Sequence, residues 1–369
     1  MSRLINLKLA GWKSIPLLEN LEFGPLNVLI GANGAGKSNL ISFFKLLNWM
    51  TLSADQFPLY VGRIGGANAL LHDGAARTPQ LEATITLETG QGINDYHIRL
   101  FHAAGDTFVF AEEEYRFSRK GSIPNPDWTS LGAGHRQARL IDAAEGDKTA
   151  RAILSMLRGC KVFQFHNTSE TARLRQYWDI NDAQNLREDA ANLAPFLLRL
   201  RDSKPEYYRM IVETIRQAAP FFADFVLEPL AQSVILQWTE KGSDIIFGAH
   251  QASDGTLRLM ALVALLLQPP DEMPDTIILD EPELGLHPFA VNIVAGLLRS
   301  AAVRKQVIIA TQSVSLIDRF DLEQVIVVDR PGRASTYTRL NAEILSSWLE
   351  EYTLSELWEK NVIGGGPIR

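Results

Sequence analysis

The residues Gly31-Ala-Asn-Gly-Ala-Gly-Lys37-Ser38 fit the pattern G-x-x-x-x-G-K-[ST] at every position, directly after the apolar run Leu26-Asn-Val-Leu-Ile30. The pattern demands a strand before it and a helix after it. Only then do successive backbone N–H groups and the positive end of a helix face one chain of phosphates. Leu40, Phe44 and Leu47 supply the apolar face of that helix, at spacings of four and three. The glycines let the backbone close on phosphate oxygens. The spacing predicts a nucleotide cradle made by Gly31, Asn33, Gly34, Ala35, Gly36, Lys37, Ser38 and Asn39. Lys37 reaches the β- and γ-phosphates and the Ser38 hydroxyl binds Mg²⁺.

Far downstream, Asp275-Thr-Ile-Ile-Leu-Asp280-Glu281-Pro282 is a β-branched and aliphatic run closed by two carboxylates. It reads as a buried parallel strand whose C-terminal tip offers acid groups to a nucleotide. Asp280 joins Ser38 in the Mg²⁺ shell, and Glu281 is the candidate base that orients and deprotonates the attacking water. Pro282 cannot continue a ladder, so the strand stops there and leaves the carboxylates at the sheet edge. An ordinary strand with an acidic turn would look the same in isolation. The phosphate loop upstream separates the two readings.

With 369 residues, 46% of them hydrophobic, the chain can bury a large core in roughly two or three lobes. Its single cysteine, Cys160, excludes an internal disulfide and a Cys-based zinc hook and reads as a small buried apolar residue in a reducing compartment. The longest apolar stretch, Leu259 to Leu267, is too short to span a bilayer, and no signal-type apolar core follows Arg3 and Lys8. The expectation is a soluble cytoplasmic protein with no membrane partner. A net charge of −7 and a pI near 5.6 argue against a uniformly basic nucleic-acid binder.

Strands are expected at Ser2 to Gly11, Leu26 to Ile30, Gln80 to Leu87, Asp95 to Leu100 and Thr107 to Phe110, then a long irregular excursion from Gly121 to Gly146 through Ile-Pro-Asn-Pro. Helical patterns follow at Lys148 to Leu157, Asp189 to Arg201 and Glu206 to Ala218. Strands at Val234 to Thr239 and Asp244 to Phe247 lead into the nearly all-apolar helix Thr256 to Leu267. After the acidic strand come a helix at His287 to Ala301 and strands at Gln306 to Ala310, Gln324 to Val328 and Ala334 to Leu340. This suggests an N-terminal nucleotide lobe over 1–120, an irregular and helical insertion over 121–230, a C-terminal lobe over 231–340 and a helical tail over 341–369.

Together the motifs resemble the ATP-binding-cassette heads of the SMC/RecF class, in particular the small bacterial ATPases related to the ATPase part of overcoming-lysogenisation-defect proteins. Gly11-Trp-Lys-Ser14 is similar to the aromatic-Lys-Ser opening of those heads. Ser253-Asp254-Gly255-Thr-Leu-Arg258 resembles their signature motif, which contacts the γ-phosphate of the nucleotide held by the partner subunit. Glu283-Leu-Gly-Leu-His-Pro288 resembles the segment after the catalytic Glu that helps pair two subunits. The resemblance implies an α/β P-loop NTPase fold of ABC-ATPase type, with a mixed, largely parallel central sheet, an antiparallel side sheet and a helical insertion. It implies ATP and Mg²⁺ as cofactors and ATP hydrolysis at two composite sites of a head-to-head homodimer. The implied role is DNA repair or anti-phage defence, through DNA contact or a separate nuclease or other effector chain. It also places Gln164, in Val162-Phe-Gln-Phe-His166, at the Mg²⁺-sensing glutamine.

Plainer roles stand beside these. Ser253 suits an N-cap, Gln164 a solvent-facing strand residue, His287 a helix start, and Trp12 a core strand. Arg63 is either a loop cation or a DNA contact, as arginines in that region of SMC-type heads are. Where many relatives carry a switch histidine, Ala310-Thr-Gln312-Ser313 has a glutamine, which can hydrogen-bond the γ-phosphate or water but cannot carry a proton. Lys37 and Asp280 lie too close in sequence for a long SMC coiled coil, and the expectation after Gly364-Gly-Gly-Pro367 is a chain without the fused nuclease of the overcoming-lysogenisation-defect proteins. Between Arg136 and Arg175 stand eight Arg or Lys against four Asp or Glu, either a solvated charged face or a surface for DNA phosphates. Two competing functions are a transporter's nucleotide-binding subunit, which the Trp-Lys-Ser opening and the nonstandard signature disfavour, and a regulatory ATP-binding module without turnover, which Glu281 disfavours.

Overall fold

The computed structural model describes residues 2–53, 55–121, 126–341, 343, 345, 348 and 350–366. Ile123 to Asn125 of the Ile-Pro-Asn-Pro run, and Pro367, lie outside the described residues. In chain order β1 (Arg3–Trp12) and β2 (Ile15–Glu22) form a hairpin, and β3 (Leu26–Ile30) leads to the phosphate loop. Next come β4 (Gln80–Thr89), β5 (Gly92–Ala103), β6 (Thr107–Arg119), β7 (Thr129–Ser130) and β8 (Cys160–Phe163). Short strands β9 (Trp178–Asp179), β10 (Phe222–Val226), β11 (Ser233–Val234), β12 (Gln237–Glu240) and β13 (Ile246–Gly248) follow, then β14 (Thr276–Asp280), β15 (Gln306–Thr311), β16 (Val325–Asp329) and β17 (Thr336–Arg339).

Two six-stranded sheets hold most of these strands, with a three-stranded sheet β10-β12-β13 and the pair β11-β9 beside them. The central sheet runs β17-β16-β3-β15-β14-β8 and is parallel except for β17, which pairs antiparallel with β16. Every residue of β3, β14 and β15 is buried, as a sheet covered on both faces requires. Alternate side chains divide two cores. Val28, Ile30, Ile277 and Leu279 pack with the helices Leu193–Ser203, Pro205–Ala218, Asp254–Leu267 and Pro288–Ala302. Leu29 and Ile278 pack with the loop helix Lys37–Leu52 and the antiparallel sheet β2-β1-β4-β5-β6-β7. Leu40, Phe44 and Leu47 are buried in that layer, so the loop helix is clamped between the sheets. In β4 buried and half-buried residues alternate, the signature of a one-sided sheet.

Parallel register puts the functional ends level. Ile30 pairs with Thr311 and Asp280 with Ala310, so the phosphate loop and the acidic tip emerge on either side of the end of β15.

Three expectations need correction. The excursion to Gly146 is not irregular throughout, because Leu140–Gly146 is a helix. Its first N–H groups are held by a distant side chain: Glu113 on β6 accepts from Arg139 N (2.9 Å), Leu140 N (3.0 Å) and the Tyr96 hydroxyl (2.7 Å). Local sequence carries no trace of such a cap. The expected strand Val234 to Thr239 is two strands in two sheets, β11 with β9 and β12 between β10 and β13. The expected strand Thr107 to Phe110 extends to Arg119.

Candidate functional site

The loop helix begins at Lys37, and Gly36 before it has φ 120°, a region that side chains rarely adopt. A Cβ there would also fall 2.1 Å from Ser335 Oγ. That serine is part of a brace the sequence did not reveal. Ser335 Oγ donates to Ala35 O (2.6 Å) and lies 2.7 Å from Ser14 Oγ, whose hydroxyl can donate to it, while Asn39 Nδ2 donates to Ser14 Oγ (2.6 Å). Trp12, fully buried, donates its indole N–H to Asn39 O (2.7 Å), and Tyr337 donates to Gly36 O (2.9 Å). From the tail, Gly365 O accepts Ala32 N (2.8 Å). Asn33 and Gly34 stand at the tip of the loop, where Arg330 Nη1 donates to Gly34 O (3.1 Å). The loop is thus held from β1, from the β16–β17 turn and from the tail, elements far apart in sequence.

Lys37 is 5% exposed, and its Nζ donates to Gly31 O (2.6 Å) and Ala32 O (3.1 Å). Burial lowers its pKa, while the charges of Glu281, Asp280 and Glu283 pull the other way. Ser38 Oγ faces Asp280 Oδ1 at 3.4 Å. Gln164, one residue beyond β8, donates Nε2 to Asp280 Oδ2 (2.9 Å) and accepts from Lys45 Nζ, so its side chain lies against Asp280. His166 Nε2 is 2.9 Å from Asp280 O.

Glu281 has φ 45°, a left-handed conformation uncommon outside glycine, and its N–H donates to Ala310 O (2.8 Å). This strained residue directly follows β14, and strained backbone of this kind clusters at reactive sites. Glu283, missed as a site residue, is buried beneath it. One of its oxygens accepts from Thr311 Oγ1 and the other has no hydrogen-bond partner among the described residues. Burial raises its pKa, with Thr311 opposing and the Glu281 charge adding. Thr311 Oγ1 also accepts Ser313 N (2.9 Å), which orders the turn that carries Gln312. Gln312 borders a cavity of about 580 Å³ with Ala32 to Ala35 of the phosphate loop.

Ser253 is the N-cap of Asp254–Leu267 and accepts Thr256 N (3.1 Å). A Cβ on Gly255 would meet Gly285 O at 2.2 Å, so the signature segment and the Glu283 to Pro288 segment touch backbone to backbone. Two arginines fasten this junction. Arg258 donates to Phe165 O (3.1 Å), His166 O (3.0 Å) and Leu284 O (2.9 Å). Buried Arg175 donates to Thr168 O (2.9 Å) and Ala249 O and pairs with Asp254 (3.0 Å). The segments carrying Gln164, the signature and Glu281 therefore form one connected unit. His287 accepts Phe289 N (3.3 Å) at a helix start.

In the cationic segment Arg136, Arg139, Lys148, Arg151 and Arg173 stay exposed, although several are engaged within the chain. Arg175 is buried, Arg173 pairs with Asp189 (3.5 Å), and Arg139, Arg151 and Arg158 donate to backbone carbonyls. Burial pushes the Cys160 thiol up to about 11, as suits an inert core residue. No group of three or more His, Cys, Asp or Glu able to hold a metal ion occurs among the described residues. The Ser38 hydroxyl and the Asp280 carboxylate fit Mg²⁺, a hard ion that takes one or two protein oxygens and fills its shell with water and phosphate.

This fold and this pair of strand tips define an SMC/RecF-like ABC-type ATPase head. The model of the family described as "AAA domain, putative AbiEii toxin, Type IV TA system" matches residues 26–318, most of the chain, and the protein belongs to that family. Among solved structures, the chain is similar to an Smc head bound to the C-terminal winged-helix domain of ScpA (TM-score 0.62, 16% identity, covering 93% of this chain and 99% of that one). It is also similar to an Smc head with an extended coiled coil bound to the C-terminal domain of ScpA, from Pyrococcus furiosus (TM-score 0.60, 15% identity, 95% and 99% covered). The SMC head from Thermotoga maritima matches as well (TM-score 0.51, 13% identity, 92% and 99% covered). At such identities the likeness concerns the fold. No curated protein sequence matches. No helix among the described residues is long and apolar enough to cross a membrane.

Proposed function

We propose that this chain binds Mg²⁺-ATP at the phosphate loop and hydrolyses it at two composite sites of a head-to-head homodimer. The observation that carries the reading is the array at the two strand tips: Ser38 Oγ facing Asp280 at 3.4 Å, Gln164 bonded to the same carboxylate at 2.9 Å, and Glu281 beside them. Backbone N–H groups from Gly31 to Asn39 and the start of the loop helix bind the phosphates. Lys37 neutralises charge on the β- and γ-phosphates, and Ser38 and Asp280 hold Mg²⁺, which offsets charge on the leaving group. Glu281 orients water and accepts its proton, and Gln312 supplies a neutral hydrogen bond.

The partner's Ser253, Asp254 and Gly255 complete the site from the far side of the nucleotide. Ser253 is exposed, and none of its hydrogen bonds among the described residues goes to the phosphate loop of its own chain, which supports this reading. ATP binding then closes the dimer and hydrolysis releases it. The toxin system in the family description supports anti-phage defence over DNA repair, with closure controlling DNA contact or a separate effector chain.

The test is light scattering of Glu281→Gln, with and without ATP. The variant keeps the side chain's shape and loses about 10²- to 10⁴-fold in turnover, so ATP should lock a dimer. Adding Ser253→Arg should abolish that dimer while ATP still binds. Equal masses in all four samples sink the composite-site mechanism.

A further inference from the structure

A cavity of about 810 Å³ opens between the loop helix, β8 and the segment around Arg173 to Asp189, with Gln164 in its lining. Its size is that of a site for a small molecule. Several of its charges are already spent: Arg173 pairs with Asp189 and Arg187 with Asp182. Lys45, Arg63 and Lys161 also line it, and none of the three makes an ion pair among the described residues. The carboxylate left among them, Glu188, is solvent-exposed, and its single charge is outnumbered by those of Lys45, Arg63 and Lys161.

One wall suits a base. Trp49 lines the cavity with its ring stacked on Tyr60 at 5.3 Å. Next to it, Asn48 is 5% exposed and donates Nδ2 to Phe44 O (2.9 Å) and Cys160 O (2.5 Å), while its Oδ1 is buried without a donor among the described residues. An orphaned acceptor costs about 1–3 kcal/mol, and a small shift of the Asn48 side chain, which lines the cavity, opens it to an amino group on a ligand. The cavity also connects to the chemistry. Lys45 Nζ donates to Gln164 Oε1, and Gln164 Nε2 donates to Asp280 Oδ2 at 2.9 Å.

We propose that this cavity is an effector site for a phosphate-bearing, nucleotide-sized small molecule with an amino-substituted base. Lys45, Arg63 and Lys161 bind the phosphate, and Trp49 and Asn48 bind the base. Occupancy draws Lys45 toward the phosphate and so loosens Gln164 on the metal-binding carboxylate. The binding half stands by itself; the relay rests on the proposed ATP site.

The probes are GMP and CMP, titrated into the full chain with the fluorescence lost in Trp49→Phe as the signal. Guanosine, inorganic phosphate and a short single-stranded oligonucleotide are the other arms. A charge-assisted contact is worth about tenfold or more in affinity, so GMP or CMP should bind at least about tenfold more tightly than guanosine or phosphate alone. Arg63→Glu with Lys161→Glu should weaken it about a hundredfold, and Lys37→Ala should leave it unchanged. No response to either nucleotide overturns the site, and equal or tighter binding of the oligonucleotide overturns it in favour of a nucleic-acid groove. For the relay, saturating GMP should shift the wild-type Kd for ATP by about fivefold or more. An unshifted Kd overturns the relay, whereas a chain that responds to GMP but binds no ATP condemns the ATP-site reading and leaves the effector site standing.

Discussion

Gly255→Ala tests how closely the signature segment must approach the acidic tip. On helix propensity alone the change should help, since alanine is favoured over glycine by about 0.8–1.0 kcal/mol inside a helix and by less in its first turn. The surroundings oppose it. The new Cβ would sit 2.2 Å from Gly285 O, a backbone atom, so the two segments must part by about 0.8 Å to reach the 3.0 Å that real contacts respect. Arg258 spans the junction with a 2.9 Å bond to Leu284 O and two bonds to Phe165 and His166. Such a shift stretches the Leu284 bond past hydrogen-bonding length, at about 1.5–3 kcal/mol for a charged donor, less here because the pair is partly solvated. Overpacking adds about 1–3 kcal/mol. The net expectation is a loss of about 1–3 kcal/mol, a melting temperature lower by about 2–5 °C, and an ATP-dependent dimer weakened about tenfold or more. Gly296→Ala is the control: it lies in Pro288–Ala302 with nothing within 4 Å of its new Cβ, so it should gain about 0.5–1 kcal/mol. Calorimetry and light scattering with ATP compare the two. If Gly255→Ala melts as high as Gly296→Ala and still dimerises like wild type, the close approach is not what sets the junction.

Lys37→Ala removes the ammonium held at Gly31 O and Ala32 O, and the loss of one charge-assisted phosphate contact should weaken ATP binding about tenfold or more in titration calorimetry and end turnover; unchanged ATPase activity refutes the site. Glu283 has a folded pKa raised by burial, so its contribution to stability is complete at pH below the ordinary carboxylate range and is lost as pH rises through the raised value. Glu283→Gln, permanently neutral, should therefore gain melting temperature over wild type progressively as pH rises above the ordinary carboxylate range, and a constant difference would show that the carboxyl is not held neutral. Arg175→Met keeps the stem but leaves Thr168 O and Ala249 O without their donor and Asp254 without its partner. A cost of about 2–4 kcal/mol and faster amide exchange at the start of Asp254–Leu267 are expected, and exchange like that of wild type would remove Arg175 from the junction.

Local sequence determined the pieces whose rules are local. A phosphate loop declares itself because glycines, Lys37 and Ser38 must follow a strand and start a helix, and β3 and Lys37–Leu52 do so. The fully buried strands β14 and β15 announced themselves as unbroken apolar runs, and β4 as an alternating one. What stayed hidden depends on partners far along the chain. Ser335, Tyr337 and Gly365 brace the loop from more than 290 residues away, and in the sequence each looks like an ordinary turn or strand residue. Glu113 caps a helix on another element, and Lys45 sits on a helix face that reads as solvated until Gln164 is set against it. Glu283 looked like part of a pairing segment, and only the packing of β15 beside β14 buries it under Thr311. Periodicity and motif spacing report what a residue does to its own backbone, whereas burial, orphaned acceptors and bridging arginines arise when distant segments are pressed together, and only the tertiary structure decides which segments those are.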